Sequence, residues 1–160
     1  MKKVLVTGIA GFAGSHLAEL LLSKGFEVYG LRRPRTRMDH IESIANRLHL
    51  TDADLLDSHS LYSTISHIKP DYIFHLAAQS FVPTSWVSPS VTLEVNIVGS
   101  ANLFEAVRQA NIDPVIQIAC SSEEYGLVHD NEIPIKETNP LRPLSPYAVS
   151  KVAMDYLGYQ

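Results

Sequence analysis

The chain has 160 residues, 46% of them hydrophobic and 19% charged, and 17 acidic side chains against 13 basic ones leave a net charge of −4. This is one domain's length of ordinary globular composition, and the charge excludes a protein held to nucleic acid by a global basic field. No apolar run approaches the roughly 18 residues of a membrane span, the apolar start Val4-Leu5-Val6 stops too early for a secretion signal, and the single Cys120 excludes an internal disulfide, so a reducing, cytoplasmic setting is expected.

Val4-Leu5-Val6 reads as a fully buried strand running into Thr7-Gly8. A helix is predicted over Ala13 to Lys24, with Leu17, Leu20 and Leu21 at helical spacing and Gly25 closing it. Glu27 to Leu31 is a second strand, broken by the basic loop that begins Arg32-Arg33-Pro34. A short helix over Ile41 to Leu48 and a weak strand over His49 to Ala53 follow. Asp57 or Ser58 caps a helix reaching Ile68, whose inner face is Leu61, Ile65 and Ile68.

Asp71 to Leu76 is the fourth strand, and the stretch containing Pro83 and Pro89 reads as a loop. Residues 90–110 form the longest helical stretch, Val115 to Ala119 a buried fifth strand, and residues 126–145 a long loop. Ser145-Pro146 opens the last helix, proline being favourable in a first turn. Short apolar strands alternating with helices predict an α/β fold, a doubly wound parallel sheet of Rossmann type covered by helices on both faces.

Two patterns in this frame carry chemistry. The first strand runs into Gly8-Ile9-Ala10-Gly11-Phe12-Ala13-Gly14, a G-x-x-G-x-x-G turn. Glycines there allow a tight turn and close approach of a pyrophosphate, and the following helix points amide donors at the anion. The plain alternative is a glycine-rich turn that binds nothing, and the position after strand one favours the nucleotide. Where an acidic residue would accept from a ribose 2′-hydroxyl stand Arg32 and Arg33. A guanidinium fork suits a 2′-phosphate, so NADP is expected in preference to NAD.

The second pattern is Tyr147-Ala148-Val149-Ser150-Lys151, Y-x-x-x-K. Residues four apart share a helix face, and the ammonium is expected to lower the phenol pKa so that it can remove a hydroxyl proton. Strand five ends in Cys120-Ser121-Ser122-Glu123-Glu124-Tyr125-Gly126, at the edge where open α/β sheets hold ligands. Cys120 is expected to be a buried small apolar group. Glu123 and Glu124 have a solvated loop-edge pair as their bland reading, and the seven histidines fall at no metal-ligand spacing, so no metal site is expected. Phe81 and Trp86 have core packing as their bland reading.

The glycine spacing resembles the extended short-chain dehydrogenases/reductases acting on nucleotide sugars. Asp54-Leu55 after the third strand matches the place where this family sets a side chain beside the adenine, and Leu76-Ala77-Ala78 matches the small residues that leave room for the cofactor ribose. Ser121-Ser122-Glu123 before Tyr125-Gly126, Ala78-Gln79-Ser80 and Ser145-Pro146-Tyr147 are most similar to the GDP-mannose 4,6-dehydratases, in which threonine is common at the position of Ser121. The resemblance implies Ser121, Glu123, Tyr147 and Lys151 as catalytic residues, and it sets Phe81 and Trp86 in a loop that borders the substrate, with Ser85 as a contact to the sugar or nicotinamide. It implies a cofactor site of Gly8, Gly11, Phe12, Ala13, Gly14, Arg32, Arg33, Asp54, Leu55, Leu76, Ala77 and Ala78, together with Tyr147 and Lys151.

The implied activity is an internal hydride transfer through NADP that converts a nucleotide sugar, GDP-mannose, to its 4-keto-6-deoxy form. A 4-epimerase, a 4-keto reductase or a non-enzymatic NADP-binding module are the alternatives. The resemblance is to the amino-terminal half of the family. Residues 1–160 are therefore expected to form one NADP-binding Rossmann domain carrying Tyr-x-x-x-Lys, truncated relative to the family and lacking its carboxy-terminal substrate region. A homo-oligomer with little turnover of its own is expected.

Overall fold

The computed structural model describes residues 1–160 as two compact units. The first comprises residues 1–78 and 102–119, the second residues 79–101 and 120–160.

The first unit holds a five-stranded parallel sheet in the order β3-β2-β1-β4-β5. Its strands are β1 (Lys3–Thr7), β2 (Glu27–Arg32), β3 (His49–Asp52), β4 (Tyr72–His75) and β5 (Val115–Ile118). In register, Leu5 lies opposite Tyr29 on one side and Ile73 on the other. Successive strand side chains point to opposite faces, so β1 feeds two cores at once. Leu5 packs with Leu31, Ile73, Leu61, Ile65 and Leu103 on one face, under helices α2 (Ser58–Ile68) and α5 (Gly99–Gln109). Val4 and Val6 pack with Val28, Ala18, Leu21 and Ile44 on the other, under α1 (Phe12–Ser23) and a 3-10 turn at Glu42–Arg47. Each fully buried aliphatic side chain of this kind contributes about 1.5–3 kcal/mol.

The order turns at β1, with β2 and β3 to one side and β4 and β5 to the other. In such sheets the ligand crevice lies beyond the carboxyl ends of the two strands at the turning point. Those ends are the Gly8 turn after β1 and Leu76 to Ala78 after β4.

Local signals end the helices as expected. Gly25, at φ +79°, follows α1 in the left-handed region. Asp57 caps α2 by accepting from Ser60 N at 3.1 Å. Leu20, one of the three leucines at helical spacing, is 53% exposed, because the buried face of α1 runs through Gly14, Ser15, Ala18 and Leu21. The expected buried strand at β5 is half-exposed, with Val115 66% exposed, since β5 is the last strand of the sheet.

The second unit is helical. The expected loop around Pro83 contains a helix instead, α3 (Val82–Val87), with proline in its first turn. After Ser88 the chain re-enters helix as α4 (Pro89–Leu93), widens into a π-helical turn at Glu94–Val98 and continues into α5. α6 (Pro146–Tyr159) packs against α4 and the π turn. Between β5 and α6 the chain is irregular except for 3-10 turns at Ser122–Glu124 and Asp130–Glu132. No helix is long and apolar enough to cross a membrane.

Candidate functional site

In the first unit the glycine turn is built by close backbone approach. Gly8 sits at φ +72°, and a Cβ there would stand 3.0 Å from both N and Cα of Ala77. A Cβ on Gly14 would collide with the Gly8 carbonyl oxygen and lie 2.8 Å from Ile9 Cα. Gly11 N donates to Gly8 O at 3.0 Å, and Ser15 N to Gly11 O at 2.9 Å. Helix geometry leaves the N–H groups of Phe12, Ala13 and Gly14 outside the ladder of α1, and Gly11 offers no side-chain cap. Gly11, Phe12 and Ala13 are exposed. A cradle that side chains would fill, open amides and a helix amino end together fit an anionic pyrophosphate.

The arginines after β2 separate. Arg32 Nε lies 2.7 Å from Asp52 Oδ1 in an ion pair, at an angle that makes no hydrogen bond, and Nη1 reaches Met38 Sδ at 2.6 Å. Arg33 instead lines a cleft of about 480 Å³ with Pro34, Arg35, Thr36, Arg37 and Asp54. Arg37 is paired with Asp39 at 2.6 Å. Asp54 holds the loop by accepting from Leu56 N at 3.0 Å, while Leu55 turns into the core and offers only backbone, its carbonyl accepting from Asn102 Nδ2.

In the second unit the structure brings together Ser121, Glu123, Tyr147 and Lys151. Ser145 organises them at the start of α6: its Oγ accepts from Ala148 N at 3.0 Å, capping the helix, and donates to Glu123 Oε2 at 3.2 Å. The exposed Glu123 carboxylate is thereby tied to the helix that carries Tyr147. The Ser121 side chain opposes the rise of the Tyr147 phenol pKa. Lys151 Nζ lies 5.7 Å from the Tyr147 ring centroid, one turn along the same face.

The expected lowering of the Tyr147 pKa is not what this environment produces. Burial pushes the phenol up, outweighing the Ser121 side chain, and the Glu123 and Glu124 carboxylates add to the rise. Burial also pulls the Lys151 ammonium down, against the pull of Cys120 and Glu124.

Glu124, rather than Glu123, is the buried member of the pair, at 5% exposure. Its Oε1 accepts from Ser121 N at 2.9 Å, closing a capping box around the 3-10 turn, and burial raises its carboxyl pKa. The S-x-x-E spacing of Ser121 to Glu124 is the signal that could have found it. Asn96, also missed, is fully buried in the π turn. Its Nδ2 donates to Ser150 Oγ at 2.9 Å and Gln79 O at 3.2 Å, and its Oδ1 accepts from Gln79 N at 2.8 Å. Its trace in the sequence is the polar row Thr92, Asn96 and Ser100 at helical spacing, all three buried.

Other expectations are corrected. Cys120 is exposed at the strand end, with Sγ donating to Asp155 Oδ1 at 3.7 Å. Loss of water around its sulfur, and then the carboxylates of Glu124 and Asp155, push the thiol up to about 12. Phe81 and Trp86 are 66% and 64% exposed rather than core. Ser85 is fully buried, its hydroxyl donating to Val82 O.

Similarity to known proteins runs along nearly the whole chain. Residues 5–160 match the family model described as GDP-mannose 4,6 dehydratase. The GDP-mannose 4,6-dehydratase of Yersinia enterocolitica is 42% identical over 95% of this chain and 43% of its own length. GDP-mannose 4,6 dehydratase 1 of Arabidopsis thaliana is 42% identical over 95% of this chain and 45% of its own. Among solved structures, the UDP-glucose 4-epimerase of Thermus thermophilus in complex with NAD aligns with a TM-score of 0.87 at 36% identity, over 98% of this chain and 50% of that one. The chain thus spans less than half the length of the curated relatives it matches. With the match running through the glycine turn and the Tyr-x-x-x-Lys helix alike, the chain belongs to the GDP-mannose 4,6-dehydratase family.

Proposed function

We propose that this chain carries the cofactor-binding and proton-handling residues of a nucleotide-sugar 4,6-dehydratase that acts on GDP-mannose with NADP. The observation that carries the reading is the Glu123 carboxylate, held by Ser145 on the helix that bears Tyr147 and Lys151. A nicotinamide cofactor, when bound, accepts a hydride from the sugar C4 and returns it to C6. The chain's own groups manage the protons. Tyr147 takes the proton of the 4-hydroxyl, Ser121 holds that oxygen, and Lys151 stands one turn along the same helix face. The 4-ketone acidifies C5–H, Glu123 removes that proton and gives it to the 6-hydroxyl, which departs as water, and C5 takes up a proton, matching the one Tyr147 had accepted, as C6 is reduced. One oxidation and one reduction cancel, so no cofactor is consumed.

The preference for NADP over NAD is supported by the Arg33 cleft, where Arg33 and Arg35 face a space large enough for a 2′-phosphate. Arg32, engaged with Asp52, supports the loop from behind. A homo-oligomer belongs to the same proposal. The second reading is a 4-epimerase, favoured by the fold likeness to UDP-glucose 4-epimerases. Epimerization needs no carboxylate at position 123.

Supplying NADP⁺ and GDP-mannose to the wild type and to Glu123→Gln separates the two. The dehydratase reading expects a 4-keto-6-deoxy product from the wild type. Glu123→Gln should still oxidise C4 but fail to eliminate, so that reduced cofactor builds up. Unchanged product formation by Glu123→Gln, or a C4 epimer as the sole product, would sink the reading.

A further inference from the structure

Thr7 ends β1 one residue before Gly8, and His75 ends β4 directly opposite it in register. Both side chains are fully buried. Thr7 Oγ1 lies 2.8 Å from His75 Nδ1 and accepts from Leu76 N at 3.2 Å and Ala77 N at 3.1 Å. A hydroxyl has two lone pairs and a single proton. Both lone pairs face amide donors, so the proton must go to His75 Nδ1. That nitrogen is then an acceptor, and the ring is neutral with its proton on Nε2.

The amides that Thr7 holds belong to the segment against which Gly8 packs, Ala77 N and Cα forming the surface that a Gly8 Cβ would press on. The other histidine tautomer would aim a third donor at Thr7 Oγ1, and one of the two amides would lose its acceptor. A T-shaped contact with Phe104, ring centroids 6.1 Å apart, and Ala119 N donating to His75 O at 3.1 Å hold the residue in place.

We propose that His75 is a positioning residue for the dinucleotide: as the neutral Nε2–H tautomer it takes the Thr7 proton, dedicates both Thr7 lone pairs to Leu76 and Ala77, and so sets the wall against which the glycine turn closes. The inference rests on reading that turn as a nucleotide site. It adds a residue two strands' width from the arginine cleft.

Two measurements on the whole chain test it. Long-range proton–nitrogen correlation on ¹⁵N-histidine protein, with His75 assigned by its loss in His75→Phe, reads the tautomer without any nucleotide. The Nε2–H form at neutral pH is expected, and the Nδ1–H form or a protonated ring overturns the inference. Calorimetric titration with NADP⁺ then compares variants. His75→Phe keeps a ring and removes the acceptor, and should weaken binding about tenfold, the consequence of a buried donor left unsatisfied. His75→Asn restores an acceptor near the Nδ1 position and should recover most of that loss. Wild-type affinity in His75→Phe, or equal weakening in both variants, overturns the inference, and if His75→Phe does not fold, His75→Asn and the tautomer decide. A wild type that shows the Nε2–H form but binds neither NADP⁺ nor NAD⁺ overturns the nucleotide reading itself, and the positioning role with it.

Discussion

A single methyl group is enough to probe the turn at Gly14. Its Cβ would have to share space with the Gly8 carbonyl, which is backbone and cannot rotate away. Gly14→Ala should therefore cost about 1–3 kcal/mol, the usual range for overpacking, read as a lower melting temperature together with weaker NADP⁺ binding. Tyr147 makes a different test. If Tyr147 takes the 4-hydroxyl proton as proposed, replacing it with phenylalanine should lower formation of the 4-keto-6-deoxy product by about 10²–10⁴-fold. Its raised pKa also has a defined sign in stability. The unfolded chain ionises near the ordinary value of 10.0 while the folded chain resists, so stability falls as pH rises above 10.0. Glu124→Gln keeps an acceptor for Ser121 N but removes a charge that pushes Tyr147 up. The Tyr147 transition, taken as the ultraviolet difference from Tyr147→Phe, should move to lower pH. These effects were hidden in the sequence because Y-x-x-x-K announces that two groups meet, and says nothing of how much water surrounds them.

Among the elements, the irregular stretch before α6 depends on a few fixed points. Arg142 grips Glu132 with two bonds of 2.7 Å and reaches Leu127 O at 2.8 Å. Gly126, at φ +49°, lies so close to the Arg142 carbonyl that no Cβ fits. The Arg142 guanidinium, aided by His129 N–H, lowers the Glu132 carboxyl from 4.5 to about 2. A lowered acid contributes stability above its unfolded value and loses it as pH falls. Residues 127–142 should become protease-sensitive as pH drops from 4.5 toward 2, and Glu132→Gln should show the same sensitivity at neutral pH; equal cleavage of variant and wild type would refute this. The regular elements were legible because period and caps are local: α1, α2, α6 and all five strands fall where the alternation and the Gly25, Asp57 and Ser145 signals place them. Helix α3 was hidden by Pro83, which reads as a breaker unless its position in a first turn is known. The π turn that buries Asn96 has no sequence period of its own.

For the whole molecule, β5 ends the sheet with Val115 outward, and Phe81, Trp86 and Val87 are exposed in the second unit. Edge strands and apolar surface favour association, and a net charge of −4 opposes it weakly. The chain is expected to self-associate in sedimentation experiments, with Trp86, the only tryptophan, shifting its emission to the blue as concentration rises. Val115→Lys should reduce association if the β5 edge drives it. A concentration-independent monomer would overturn the expectation. By itself the sequence determined the parallel α/β class, the glycine turn and the Tyr-Lys helix, because backbone chirality, side-chain period and glycine sterics act over a few residues. Only the tertiary structure decided that Asp52 occupies Arg32, that Glu124 is buried while Glu123 is not, and that the Tyr147 phenol is raised. Charge pairing and loss of water are set by neighbours distant along the chain, which the fold alone brings into contact.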